Sequence, residues 1–176
     1  MTPRTKTAAE AAQLLERHGV TAPPVPVRKL AELERVKVVG RPFEGNVSGM
    51  LVRKGDQAII GVNRLHAETR QRFTIAHELG HYLLHPHKKK VVDEVRRDFR
   101  DDVASLGIER SEIDANAFAA ELLMPQAFVT QVHADLIDEG EEPETDQFVS
   151  HLADRFEVSR DAMSYRLYNL GLSRQI

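Results

Sequence analysis

Cysteine is missing from this sequence of 176 residues. Its absence excludes both a disulfide framework and a zinc site built from thiolates, so any metal must be held by histidine, aspartate or glutamate. An excess of charge of one sign is also missing, because 24 basic and 27 acidic residues leave a net charge of −3. A balance so close to neutral provides no bulk attraction for a polyanion such as nucleic acid.

Long apolar runs are absent as well. No stretch approaches the roughly 20 residues needed to cross a membrane, and the first residues lack the apolar core of a signal peptide. Apolar residues make up 41% and charged residues 29% of the chain, which is ordinary for a soluble globular protein. We therefore expect a cytoplasmic protein with no membrane partner.

The first third of the chain predicts two helices followed by three strands. The helices are residues 6–18 and Val27–Leu33, and the strands are Val36–Val39, Ser48–Arg53 and Gln57–Asn63. A turn at residues 54–56 favours a hairpin between the second and third strands. Two interpretations of the third strand stay open, because it could pair with an extended substrate peptide or lie inside the sheet.

The stretch Phe73–Leu84 contains the pattern H-E-x-x-H within a predicted helix. His77 and His81 are four positions apart, so they differ by only about 40° around the helix axis and can face one metal ion. Glu78 lies about 100° from His77, where it could reach a water molecule at the metal without being a ligand. The surrounding residues are apolar, so these polar groups need partners. A zinc site is therefore favoured over a structural histidine pair.

A third histidine ligand is disfavoured. His87 has the spacing used by proteases that add a third histidine to this pattern. In those proteases a glycine allows the chain to turn sharply, whereas this sequence has Leu84 at that position. The third ligand is therefore expected to come from another part of the chain.

The helical stretch Glu112–Pro125 offers two carboxylates, Glu112 and Glu121. Nine residues separate them, which places them on opposite faces of a helix. Glu112 shares its face with Asn116, whose amide could orient a ligating histidine, whereas Glu121 shares its face with Asp114 on a predicted solvent side. Glu112 is therefore favoured over Glu121 as the third ligand.

The last part of the chain resembles a helix-turn-helix unit. Its two predicted helices are Thr145–Phe156 and Ser159–Asn169. Arg160, Tyr165 and Arg166 could contact DNA or a protein, but nearby acidic residues dilute the positive charge that phosphate contacts require. Packing or docking of a partner protein is therefore favoured over direct DNA binding.

Taken together, three segments closely resemble the ImmA/IrrE family of metallo-endopeptidases. They are R-x-R-F-T-I-A-H-E-L-G-H-Y-L-L-H at Arg70–His85, F-R-D-D at Phe99–Asp102 and E-I-D-A-N-A-F-A-A-E-L-L-M-P at Glu112–Pro125. The resemblance implies an α+β fold, with a zincin-like core whose small three-stranded antiparallel or mixed sheet packs on helices. We expect this metallopeptidase domain to span residues 1–143, including a leading helix in 1–19, and the helix-turn-helix-like module to span 144–176.

The resemblance also implies a function. His77, His81 and Glu112 match the ligands of one zinc ion, and Glu78 matches the catalytic glutamate. Members of the family cleave a partner helix-turn-helix repressor and so release stress-response, prophage or mobile-element genes. The alternative is a DNA-binding or antitoxin-like regulator with a structural metal, but such a site would not need Glu78 and is usually closed by a fourth protein ligand.

Overall fold

The computed structural model describes residues 3–45, 47–55, 57–86, 90–93, 102–143 and 145–173. The elements in these ranges are α1 (Pro3–Arg17), α2 (Val27–Leu33), β1 (Val36–Arg41), β2 (Gly49–Lys54), β3 (Gln57–Asn63), α3 (Glu68–Leu84), β4 (Lys90–Asp93), α4 (Asp102–Leu123), α5 (Gln126–Asp138), α6 (Asp146–Phe156) and α7 (Arg160–Leu170). The predicted α+β class is confirmed. Within the described ranges, no helix combines the length and apolar character needed to span a membrane.

The strands form one mixed sheet in the order β1-β3-β2-β4. β1 runs parallel to β3, and β2 runs antiparallel to both β3 and β4. The three predicted strands and the hairpin are confirmed, and β4 adds a fourth strand that the sequence analysis did not predict. A run of four residues is too short to carry a clear strand pattern, and β4 depends on its pairing with β2.

β3 is an interior strand. Its backbone pairs with β1 on one side and with β2 on the other, so it has no free edge for another chain. This arrangement decides between the two interpretations of the strand and excludes pairing of a substrate peptide with β3.

One face of the sheet is buried beneath the helices. Its inward side chains alternate along the strands, as half-buried strands require, and include Val36, Leu51, Ala58, Ile60 and Val62. α3 crosses this face so closely that a Cβ atom added to Gly49 would overlap Thr74 Cγ2 and lie 2.8 Å from the Gly61 carbonyl oxygen. This close contact with the sheet therefore fixes the position of α3.

A second close approach joins α3 to α4. A Cβ atom added to Gly80 would lie 3.0 Å from Phe118 Cδ1 and 3.3 Å from Ala115 Cα. Small residues at the crossing therefore let the two helix backbones approach each other. This contact fixes the position of α4 beside the H-E-x-x-H residues of α3.

We expect Gly80→Val to lower the free energy of unfolding by about 1–3 kcal/mol, because the added methyl groups overpack this crossing. Urea unfolding followed by circular dichroism would measure the change. Ala134→Val on the exposed face of α5 is the control, and its cost should stay near the roughly 0.5 kcal/mol due to helix propensity alone. Equal effects of the two substitutions would contradict the close packing at Gly80.

The two helices near the C-terminus begin at capping side chains. Thr145 Oγ1 accepts a hydrogen bond from the Phe148 amide, and Ser159 Oγ accepts one from the Ala162 amide, each 3.2 Å long. Between the helices, Glu157 adopts a left-handed conformation with φ 52°. These features agree with the predicted helix pair, while its status as a separate module remains a prediction.

Arg166 ties α7 to α4. Its guanidinium donates to both carboxylate oxygens of Glu121, at 2.8 and 2.6 Å, and its Nε donates to the Met124 carbonyl at 2.9 Å. Only 5% of the Arg166 side chain is exposed. Two predictions are therefore wrong: Arg166 is not a surface contact for DNA or protein, and Glu121 does not face solvent.

Arg72, in the first half of α3, connects three distant segments. Its guanidinium donates to the Val25 carbonyl at 2.9 Å and to the Glu157 carbonyl at 3.1 Å, and it forms an ion pair with the Glu157 carboxylate at 2.9 Å. Burial lowers the pKa of Arg72, but the group remains a cation at neutral pH. The N-terminal connector and the α6–α7 turn are thereby both fixed to α3.

Candidate metal centre

Three side chains from α3 and α4 converge on one point. His77 Nε2 and His81 Nε2 lie 3.0 Å apart. Glu112 places Oε2 3.1 Å from His77 Nε2 and Oε1 3.2 Å from His81 Nε2. In the described part of the chain, this trio is the one group of three acidic or histidine side chains arranged closely enough to hold a metal ion. The structure thus brings together the three residues that the sequence predicted as ligands.

Asn116 determines which nitrogen of His77 faces the trio. Its Oδ1 lies 3.0 Å from His77 Nδ1, and an amide oxygen can only accept, so Nδ1 carries the proton. In neutral His77, Nε2 then carries no proton, and its lone pair is directed at His81 and Glu112. An amide that fixes an imidazole in this way is a common support for a metal-ligating histidine.

The donor set fits a metal ion. His77 Nε2 and the Glu112 oxygens are all acceptors, and the single proton on a neutral His81 ring cannot satisfy three contacts of about 3 Å. A cation at the centre removes this repulsion. Ligand atoms about 2.0–2.1 Å from a tetrahedral zinc ion are roughly 3.3–3.4 Å apart, close to the spacings observed here.

Glu112 has the ionisation state that a ligand requires. Burial acts to raise its pKa, but the imidazoles of His77 and His81 beside its two oxygens outweigh burial and hold the pKa well below the usual range. Glu112 is therefore an anion at neutral pH, the form in which a carboxylate binds a metal. About 35% of its side chain is exposed, so the trio is open to solvent on the α4 side.

Glu78 lies beside the trio but is not part of it. Its side chain is fully buried between α3 and β2, and a Cβ atom added to Gly49 would lie 3.8 Å from Glu78 Cγ. Two members of the sequence pattern thus face α4, while the glutamate between them faces the sheet. Glu78 is therefore next to His77 in the helix but is not one of the three converging side chains.

The other predicted candidates do not join the site. Glu121 is paired with Arg166 and lies two and a half helical turns from Glu112 on α4, so it is not part of the trio. His87 lies outside the described residues, as do residues 99–101 of the F-R-D-D segment.

Sequence reasoning missed Arg53, which closes the C-terminal end of α3. From β2 its guanidinium donates to the carbonyls of Tyr82 and Pro86, each at 2.8 Å, and of His81 at 3.1 Å. These carbonyls lie at or just beyond the end of α3, where a cation opposes the negative end of the helix dipole. The available signal was an arginine on the same inward face of β2 as Leu51.

Comparison with known proteins agrees with this arrangement. Residues 31–168 match the model of the family Peptidase_M78, the IrrE N-terminal-like domain. A curated relative, "Uncharacterized immunity region protein 2" of Bacillus phage phi105, is 26% identical over 103 residues, which are 58% of this chain and 61% of that protein.

A solved structure of a Mycobacterium tuberculosis transcriptional regulator has a TM-score of 0.63 at 18% identity, over 97% of this chain and 48% of that one. At this identity the likeness shows the fold alone. The chain spans less than two thirds of the length of both relatives. Because the family model covers most of the sequence, the resemblance seen there is confirmed, and the chain belongs to the Peptidase_M78 family of IrrE N-terminal-like domains.

Proposed function

We propose that this protein is a zinc-dependent endopeptidase that cleaves a helix-turn-helix transcriptional repressor and thereby derepresses stress-response or mobile-element genes. The observation that carries the proposal is the convergence of His77, His81 and Glu112 beside a buried Glu78. The peptidase family supports a protein substrate. The immunity-region name of the phage relative favours a regulatory target over a digestive one.

In this proposal His77, His81 and Glu112 hold one zinc ion, and Asn116 keeps the His77 ring in the orientation for binding. When bound, zinc supplies Lewis-acid chemistry, polarising a carbonyl group and making water more acidic. Glu78 moves the protons: its carboxylate accepts one from the attacking water and returns it to the leaving amine.

The alternative function, a DNA-binding regulator with a structural metal, has less support. Each of the three arginines in the described range 145–173 contacts a carboxylate: Arg155 pairs with Glu139, Arg160 with Asp146 and Arg166 with Glu121. The acidic partners dilute the positive charge that phosphate contacts require. These contacts favour a docking or packing role for α6 and α7.

Cleavage can be tested with the helix-turn-helix repressor encoded nearest to the gene. The zinc-loaded protein is incubated with that repressor, and mass spectrometry locates new chain ends. One defined cut supports the proposal. An intact repressor, together with binding of duplex DNA at physiological salt, would favour the regulator instead.

Zinc titration of two matched variants tests the ligand set. We expect Glu112→Gln to weaken zinc binding more than about 100-fold, because loss of a ligand should exceed the 10–100-fold cost of losing a supporting residue. Glu68→Gln, which makes the same change at an exposed position on α3, should bind zinc as the unmodified protein does. Calorimetry on protein first stripped with a chelator measures both affinities, and the opposite ranking would overturn the assignment of Glu112.

A further inference from the structure

A cavity of about 360 Å³ lies between α3, α4 and the start of α7. Its volume falls near the lower end of the roughly 300–1,000 Å³ typical of ligand pockets. The proposed chemistry does not use it. The lining is largely apolar and includes Thr69, Phe73, Leu123, Met124, Val158 and Ala162.

This cavity lies in line with the metal centre on α3. Thr69, Phe73, His77 and His81 follow one another at intervals of four residues, so they form a continuous row on the helix. Phe73 joins the two ends of the row, because it lines the cavity while its ring centre lies 6.3 Å from that of His77. The cavity and the histidine pair are therefore neighbours on one helix face.

α4 supplies a matching row in the opposite direction. The members of this row, which are also four residues apart, are Glu112, Asn116, Ala120 and Met124. Asn116 contacts His77, and Met124 lines the cavity. Six residues, or about 9 Å of helix, separate His77 from the middle of the α3 segment that lines the cavity. An extended peptide advances about 3.3 Å per residue, so three residues cover this distance.

We propose that the cavity binds one large apolar side chain of the substrate, such as leucine, isoleucine, methionine or phenylalanine, about three residues from the cleaved bond. The inference rests on the proposed peptidase function and adds a rule for choosing the cleavage site. An apolar lining removes water from the bound side chain, and it would leave a charged one without partners. Arg70 also lines the cavity, and its positive charge further disfavours basic side chains.

A peptide mixture made by digesting a bacterial proteome provides the first test. The zinc-loaded protein is added, and mass spectrometry maps the residues around every new cut. We expect large apolar residues to be enriched at one position two to four residues from the cut. Cuts without such enrichment would overturn the pocket while leaving the peptidase function intact, whereas no cuts here or in the repressor would count against the function itself.

Two filled-cavity variants provide the second test. A pair of peptides carries either leucine or serine at the enriched position, and the ratio of their kcat/KM values is measured. The unmodified protein should prefer leucine about tenfold or more. Ala162→Phe and Thr69→Leu, which fill the cavity from α7 and α3, should each bring the ratio close to one.

Asn169→Phe is the matched control, because it adds the same bulk to an exposed position on α7 that does not line the cavity. Its ratio should equal that of the unmodified protein. Thermal melts and zinc content establish that each variant is folded. A leucine preference that survives in both folded filled-cavity variants would refute the pocket.

Discussion

Glu78→Gln is expected to lower the rate of peptide cleavage by at least about 10²–10⁴-fold, the usual contribution of a positioned general base. An amide has nearly the shape of the carboxylate but cannot accept and return a proton at neutral pH. Because Glu78 lies outside the trio, the variant should bind zinc normally. Removing a buried charge without changing its volume should also leave the fold intact.

Two measurements on the same preparations decide this outcome. Cleavage of the repressor is followed by mass spectrometry, and zinc content is measured on the folded protein. Glu68→Gln is the control, because it makes the same change at an exposed position on the same helix. Cleavage by Glu78→Gln at the normal rate would show that another group carries the proton. Loss of zinc in that variant would contradict its place outside the ligand set.

Arg166→Met should lower the free energy of unfolding by about 2–4 kcal/mol. Breaking a fully buried ion pair costs about 3–5 kcal/mol, and the remaining exposure of Glu121, 18% of its side chain, reduces that cost. The substitution also removes the hydrogen bond to the Met124 carbonyl at the end of α4. For a chain of this length Tm should fall by roughly 2–4 °C per kcal/mol, as thermal unfolding would measure.

A double variant and a substitution of an exposed arginine test whether the loss of stability is due to the Arg166–Glu121 pair. Glu121→Leu combined with Arg166→Met should recover much of the stability, because apolar replacements of buried pairs are often neutral. Arg160→Met removes an exposed arginine from the same helix, and its cost should stay within about 0–1 kcal/mol. If Arg166→Met costs no more than Arg160→Met, α7 is not fixed to α4 by this pair.

The parts of the site that depend on helix geometry could be predicted from the sequence. The i, i+4 spacing of His77 and His81 places both on one face of α3 wherever that helix lies. The same reasoning put Glu112 and Asn116 together on α4, and the structure places both beside the histidines. In each case the prediction needed only the period of a helix.

The parts that depend on tertiary contacts could not be predicted. Arg166 is 45 residues from Glu121, and Arg53 is 29 residues from the Tyr82 carbonyl that it binds. The sequence alone does not show whether an arginine faces water or a buried carboxylate, and local patterns favour the exposed interpretation. β4 was missed for the same reason, because its identity as a strand comes from β2 rather than from its own four residues.

The long-range contacts of Arg72 bear on the order in which the candidate site assembles during synthesis. α3 leaves the ribosome with both histidines and Glu78, but Arg72 must wait for residue 157, which is 85 positions later. Chains are made from the N-terminus, so the nascent H-E-x-x-H helix has neither its carboxylate partner on α4 nor its anchor at the α6–α7 turn. A half-made chain therefore carries the motif without the assembled trio, and the proposed peptidase activity requires that most of the chain has been translated.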